Sequence, residues 1–269
     1  MNFIMKLSLL LLAFLTQATL ASWPKRGVPF NDVGLIQHFN GGGSQVNWGW
    51  NWDSSMPSTF PTSMEFIPCL WSDASDHTSN WASNVNAAIT RGTGHIMAFN
   101  EPDGCAAGQS CMSPQQAVDA WKTYIQPFAG RVALGAPQVS NGAGGLAWLE
   151  SFLSLCTGCQ IDFVPIHWYE GVNGQNYLAD FYNYAGSAYA AGGNRPIWIT
   201  EFALWKFATE ADQEYFLSQV IPWMDNLSWI SRYSWFMCTS DYVEEPQGSL
   251  CNADGSLTNL GNDYTYSAF

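Results

Sequence analysis

A single-domain (β/α)8 barrel is the fold this sequence predicts, and three observations carry the expectation. Short apolar runs bounded by Gly, Pro or Asn alternate with stretches of helical periodicity. Successive run ends, at Glu101, Gln138, Trp168, Glu201 and Phe236, fall about 30–40 residues apart, one βα unit each. Residues 27–269 come close to the ~250 typical of such barrels, and no Ser/Gly/Pro linker or charge block divides them.

Eight runs read as strands: residues 33–39, 45–52, 65–71, 95–101, 132–138, 163–169, 196–202 and 230–238. The second is Trp-rich and interrupted by Gly49. Between them residues 81–91, 114–128, 146–155, 177–191 and 210–227 have helical spacing. Ser113 is placed to cap a helix whose first position is Pro114, with Gln116 at capping-box distance. Thr209 opens another helix, with Glu210 and Asp212 in the first turn, where the helix dipole favours acids.

Ahead of the barrel, Lys6, an apolar run over residues 7–15 and small residues around Ala18 and Ala21 follow the order of a secretory signal peptide spanning residues 1–21. The run is shorter than the roughly 20 residues of a spanning helix, so a soluble, secreted chain is expected, extracellular or in a cell wall. Lys25-Arg26 reads either as a processing site, making 22–26 a short pro-segment, or as two bases in a loose amino-terminus.

Of 9 Lys and Arg, Lys6, Lys25 and Arg26 precede Gly27, so the barrel sets few bases against 22 Asp and Glu. Such acidity repels nucleic acid and anionic lipid and suits a neutral polymer. The 14 Trp point the same way, because sugar rings stack on aromatic faces, although any single Trp serves equally as packing. The 7 Cys read as disulfides with one thiol left over. Cys105 with Cys111, Cys156 with Cys159, and Cys238 with Cys251 are the expected local pairs, and Cys69, inside an apolar strand, the buried thiol. A zinc site on Cys156 and Cys159 would need a second Cys or His pair at ligand spacing, which is missing.

Barrel chemistry sits at the carboxyl ends of strands, so residues at run ends are the informative ones. Ile96-Met97-Ala98-Phe99 stops abruptly in Asn100-Glu101-Pro102. A glycosidic bond needs a carboxylic acid beside its oxygen, and Asn100 can bond the sugar hydroxyl next to the anomeric carbon. Residues 196–202 repeat the pattern with Glu201, which strand parity places with Ile197 and Ile199 on one face, pointing into the barrel mouth if the two Ile fill its core. Glu101 and Glu201 lie three units apart and can face each other at the roughly 5 Å that suits nucleophilic catalysis with retention. The plain alternative for each acid is a helix cap or an Arg partner. The sixth run ends in His167-Trp168-Tyr169-Glu170: Tyr169 can bond a nucleophile, His167 can tune the acid or steer a hydroxyl, and Glu170 is the rival carboxylate. Trp168 in that run is a candidate substrate contact, and Trp48, Trp50, Trp71 and Trp235 also fall near run ends and are candidate sugar platforms.

At these residues the chain resembles glycoside hydrolase family 128. The likeness runs through Asn47-Trp48-Gly49, Phe66-Ile67-Pro68 up to Trp71, Phe99-Asn100-Glu101-Pro102-Asp103, His167-Trp168-Tyr169, Trp198-Ile199-Thr200-Glu201-Phe202-Ala203 and Arg232-Tyr233-Ser234-Trp235-Phe236. It implies a clan A (β/α)8 β-1,3-glucanase with Glu101 as acid/base and Glu201 as nucleophile; a monomer acting on β-glucan is expected. Endo action is the expectation, and no metal or organic cofactor is implied. Two rivals stay open: a non-catalytic wall-glucan binding protein, and a hydrolase with the same chemistry on β-1,4-glucan or mannan. Asn226-Leu227-Ser228 is a glycosylation sequon.

Overall fold

The first strand of the barrel does not lie in the run that suggests it. The computed structural model describes residues 24–172, 176–205, 207–239 and 248–269, so the leader read over residues 1–21 lies outside them. Within residues 33–39 the chain forms a 3-10 helix, Leu35–Asn40, that buries Leu35, Ile36 and Phe39. Those three are one and three residues apart, a helical and not an alternating spacing. Strand β1 is Arg26–Pro29, opened by the second of the two basic residues. Its charge is tolerated because it is hydrogen-bonded and paired with Asp225. Lys25 Nζ donates to the carbonyls of Met224, Asp225 and Leu227 at 2.8–3.1 Å. Arg26 donates to the carbonyls of Tyr264 and Ser267 and to the Tyr233 hydroxyl. Both cations therefore satisfy helix carboxyl ends, where bare carbonyls and the dipole favour positive charge.

The other strands fall within or overlap the predicted runs: β2 (Val46–Trp50), β3 (Glu65–Phe66), β4 (His95–Ile96), β5 (Ala133–Leu134), β6 (Val164–Gly171), β7 (Ile197–Trp205) and β8 (Ile230–Trp235). All pairings between them are parallel, in the order β3-β2-β1-β8-β7-β6, with β4 on β5. Parallel bridges Cys69 to Met97, Gly135 to Phe163 and Val139 to Ile166 tie the β4/β5 pair to its neighbours on both sides. The strands thus run round a (β/α)8 barrel in chain order. Helices α1 (Ser75–Thr78), α2 (Trp81–Thr90), α3 (Pro114–Ala120), α4 (Gly145–Leu155), α5 (Tyr177–Ala191), α6 (Glu210–Asn226) and α7 (Asn259–Tyr266) surround it. Ser113 caps α3, and Thr209 with Asp212 forms a capping box on α6. No helix among the described residues is long and apolar enough to cross a membrane.

Trp48, Trp50 and Trp198 fill the barrel interior with Ile67, Cys69, Met97 and Phe163. Room for these rings comes from glycine: a Cβ on Gly27 would fall inside the Trp48 ring, and one on Gly135 inside that of Phe163. This corrects the reading of Trp48 and Trp50 as sugar platforms, since both are fully buried. Trp168 and Trp235 are corrected likewise. Each is buried between strands and helices, with its indole N–H on Asp180 and on the Gly248 carbonyl respectively. The parity argument for β7 also needs correcting. Ile197 and Ile199 pack outward against the helices while Trp198 points inward. A register shift pairs Ile166 with Ile199 but His167 with Glu201, so one extra residue in β7 turns Glu201 back into the mouth.

The three expected disulfides, Cys105–Cys111, Cys156–Cys159 and Cys238–Cys251, are present, and Cys69 is a free buried thiol.

Candidate active site

A cleft of about 730 Å³ opens where the strands end, and both glutamates line it. One oxygen of Glu101, one of Glu201 and a ring nitrogen of His167 all lie within 4.8 Å of one another. Two acids a hundred positions apart therefore converge on one point, as the run-end reading requires.

Glu101 sits just past β4 with φ +42°, a left-handed backbone that is costly for a residue with a side chain. Three contacts hold it there. Its N–H donates to the Gln138 carbonyl at 2.8 Å. The carboxylate meets His167 Nδ1 at 2.9 Å through Oε1 and accepts from Gln109 Nε2 at 2.9 Å through Oε2. Burial works to raise the carboxyl, but His167 and Gln109 outweigh it and hold Glu101 below the usual range.

Glu201 is only 5% exposed. Trp52 Nε1 donates to its Oε1 at 2.6 Å, and the Tyr169 hydroxyl to its Oε2 at 2.5 Å. Burial pushes Glu201 above the usual carboxylate range, with the charge of Glu101 adding to it, against His167, Tyr169 and Trp52. His167, fully buried, places Nδ1 2.9 Å from Glu101 and 3.4 Å from Glu201. Both neighbours accept, so Nδ1 carries the proton. Burial opposes charge on the imidazole, yet Glu201, Glu101 and Asp103 hold it above its ordinary value. Here His167 turns an N–H toward the acids, and indole and phenol donors occupy Glu201. The trio is arranged to share protons.

Asn100 lines the cleft with its amide nitrogen on the Gly108 carbonyl at 2.9 Å, while its buried Oδ1 has no partner among the described residues. A buried acceptor left open toward a cleft fits a substrate hydroxyl. Trp71 lines the cleft too, its ring 5.1 Å from His77. Phe236, one of the run ends, lines it, and Trp52, Trp205 and Gln109 do so without having been singled out in the sequence. Trp52 had one available signal, as the last of the alternating Trp48, Trp50 and Trp52. The first two enter the core and the third stands above the strand end. Glu170 lines the same cleft, with its Oε1 accepting the Gly171 N–H.

The chain is similar to known glycoside hydrolases. The family model described as glycosyl hydrolase catalytic core matches residues 27–264. A family 128 (subgroup III) curdlan-specific exo-β-1,3-glucanase from Blastomyces gilchristii, solved with glucose, is 34% identical, covers 91% of this chain and 99% of its own, and superposes with a TM-score of 0.78. A subgroup I endo-β-1,3-glucanase from Amycolatopsis mediterranei, solved with laminaritriose, is 28% identical over 90% of this chain and 98% of its own, with a TM-score of 0.73. Alkali-sensitive linkage protein 1 of Schizosaccharomyces pombe is 29% identical over 255 residues, 89% of this chain. The chain spans 44% of the length of that relative.

Proposed function

The chain belongs to glycoside hydrolase family 128, and from that premise we propose that it is a secreted hydrolase of β-1,3-glucan that works through a covalent glycosyl enzyme. The observation that carries the reading is the convergence of Glu101 and Glu201 within 4.8 Å across a cleft lined by aromatic rings. That separation supports retention, because inverting pairs stand further apart to admit a water.

In the first step a Glu201 oxygen attacks the anomeric carbon, the bond to the leaving oxygen breaks, and that oxygen takes a proton from Glu101. Glu101, now ionised, removes a proton from water, which attacks the same carbon and releases Glu201. Burial raises Glu201 while His167 and Gln109 lower Glu101, whereas the productive arrangement has the proton on Glu101. Both belong to one singly protonated pair, so turnover follows the proton count of the pair and not its resting address. His167 Nδ1, within reach of both carboxylates, supports the exchange.

Endo action is supported by platforms beside each acid: Trp71 next to Asn100, and Trp205 against Tyr169 at 5.3 Å. Likeness to the exo-acting Blastomyces enzyme favours the other mode. Three disulfides and the leader-like amino-terminus support an oxidising, extracellular setting.

The test is a panel of laminarin, curdlan, β-1,4-glucan and mannan assayed side by side with wild type and Glu201→Ala. Reducing ends should rise on the β-1,3 polymers alone and vanish with the variant; retained turnover in Glu201→Ala would remove that residue from its role. Early loss of viscosity marks endo cleavage, and glucose as the first product marks exo.

A further inference from the structure

The structure assigns a positioning role to Gln109: presented by the loop that Cys105–Cys111 closes, its amide holds the Glu101 carboxyl in register for proton delivery. This rests on the reading of Glu101 as acid/base and adds the element that aims it.

Both ends of the Gln109 amide are committed. Oε1 accepts the Ala106 N–H at 2.8 Å, inside the loop, and Nε2 donates to Glu101 Oε2 at 2.9 Å, across to the acid. A backbone N–H can be met only by an acceptor, which fixes which end of the amide faces Glu101. The loop itself is pinned from several directions. Cys105 and Cys111 are bonded. Asn100 Nδ2 donates to the Gly108 carbonyl, the Ser110 N–H to the Asn100 carbonyl, and the Met112 N–H to the Pro102 carbonyl. Gly104 has to be glycine in this arrangement, since a Cβ there would fall inside the Gln109 amide.

The support has something to work against. Glu101 leaves β4 through a left-handed backbone, so its side chain departs from a conformation that the chain does not choose unaided. With His167 on one oxygen and Gln109 on the other, the carboxyl plane is fixed from two sides. Gln109 lines the cleft beside Glu101, where a leaving sugar departs. An amide N–H on a carboxylate favours the ionised form, the state Glu101 needs once it has given up its proton, and Gln109 is among the causes that hold it low.

Two substitutions separate this role from simple loop closure. Gln109→Glu keeps an oxygen for the Ala106 N–H, removes the amide donor to Glu101 and sets a second carboxyl against it; Gln109→Met removes both ends at similar volume without adding charge. Each is compared with wild type on laminarin and on 2,4-dinitrophenyl β-laminaribioside, whose leaving group departs without a proton. For both variants kcat/KM on laminarin is expected to fall about tenfold or more, and on the aryl glycoside to stay within about threefold. The acid limb of the laminarin profile is expected to move to higher pH, because the ionised carboxyl loses a donor. Cys105→Ser/Cys111→Ser should reproduce the selective loss. Equal losses on both substrates, or a laminarin rate and acid limb left in place, would overturn the assignment. A wild-type enzyme inactive on both substrates would sink the parent reading, and this one with it.

Discussion

Glu101 and Glu201 were legible because an ionisable group closing an apolar run is expensive to bury and calls for partners. Glu201 finds them in Trp52, Tyr169 and His167, and Glu101 in Gln109 and His167. Which Trp faces sugar was not legible, since a ring in a core and a ring in a cleft have the same neighbours in sequence. Trp48 fills the barrel, 5.5 Å from Trp198, while Trp71 lines the cleft. The two should therefore fail differently. Trp48→Ala is expected to cost about 3–5 kcal/mol of stability with little change in KM. Trp71→Ala should melt near wild type while KM for laminarin rises about three- to tenfold, the worth of one stacking contact. Melting curves and saturation kinetics on the two proteins check this, and the reverse pattern would exchange their roles. Gln109 left almost no trace in the sequence, because its importance comes from a loop fold that brings it back onto an acid eight residues earlier.

Among the elements, β1 was hidden and β7 was read correctly for a mistaken reason. Two adjacent bases look like loop until the helix carbonyls that accept their hydrogens are in place, and only the folded chain supplies those. In β7 a one-residue irregularity inverts the facing of everything after it, which alternation along a run cannot reveal. At the other end of the barrel Glu65 on β3, His95 on β4 and Arg232 on β8 tie three strands together, with Arg232 lying 4.5 Å over the Trp198 ring. Burial works to raise Glu65, but His95 and Arg232 outweigh it and hold the carboxyl at about 2, down from 4.5. The unfolded chain thus takes up this proton first as pH falls. The contribution is full above about pH 4.5 and is lost on the way down to 2, on the order of 3 kcal/mol. Glu65→Gln should lower stability at pH 6 and flatten its dependence between pH 5 and 3. Urea unfolding at those values tests it, and an equally steep wild-type and variant dependence would place the acid sensitivity elsewhere.

For the molecule as a whole, a strongly acidic barrel with an aromatic-lined cleft suits a neutral sugar polymer, and the acid pair at its centre sets when it works. Uptake of a second proton by the pair falls below the ordinary carboxylate range, because His167 and Gln109 favour ionised Glu101. Loss of the last proton falls above that range, because burial disfavours ionised Glu201. His167, with Asp103 behind it, and Tyr169 also face the pair. The rate on laminarin should accordingly trace a bell whose acid limb lies below, and whose alkaline limb lies above, the usual glutamate value; a single limb would contradict the shared proton. The most direct test is chemical. In 2-deoxy-2-fluoro-β-laminaribiosyl fluoride the fluorine at C2 slows both steps and the fluoride leaving group hastens the first, so a glycosyl enzyme should accumulate. Peptide mapping by mass spectrometry is expected to find the sugar on Glu201; a label on Glu101 or Glu170, or turnover with inversion and no label, would contradict the account.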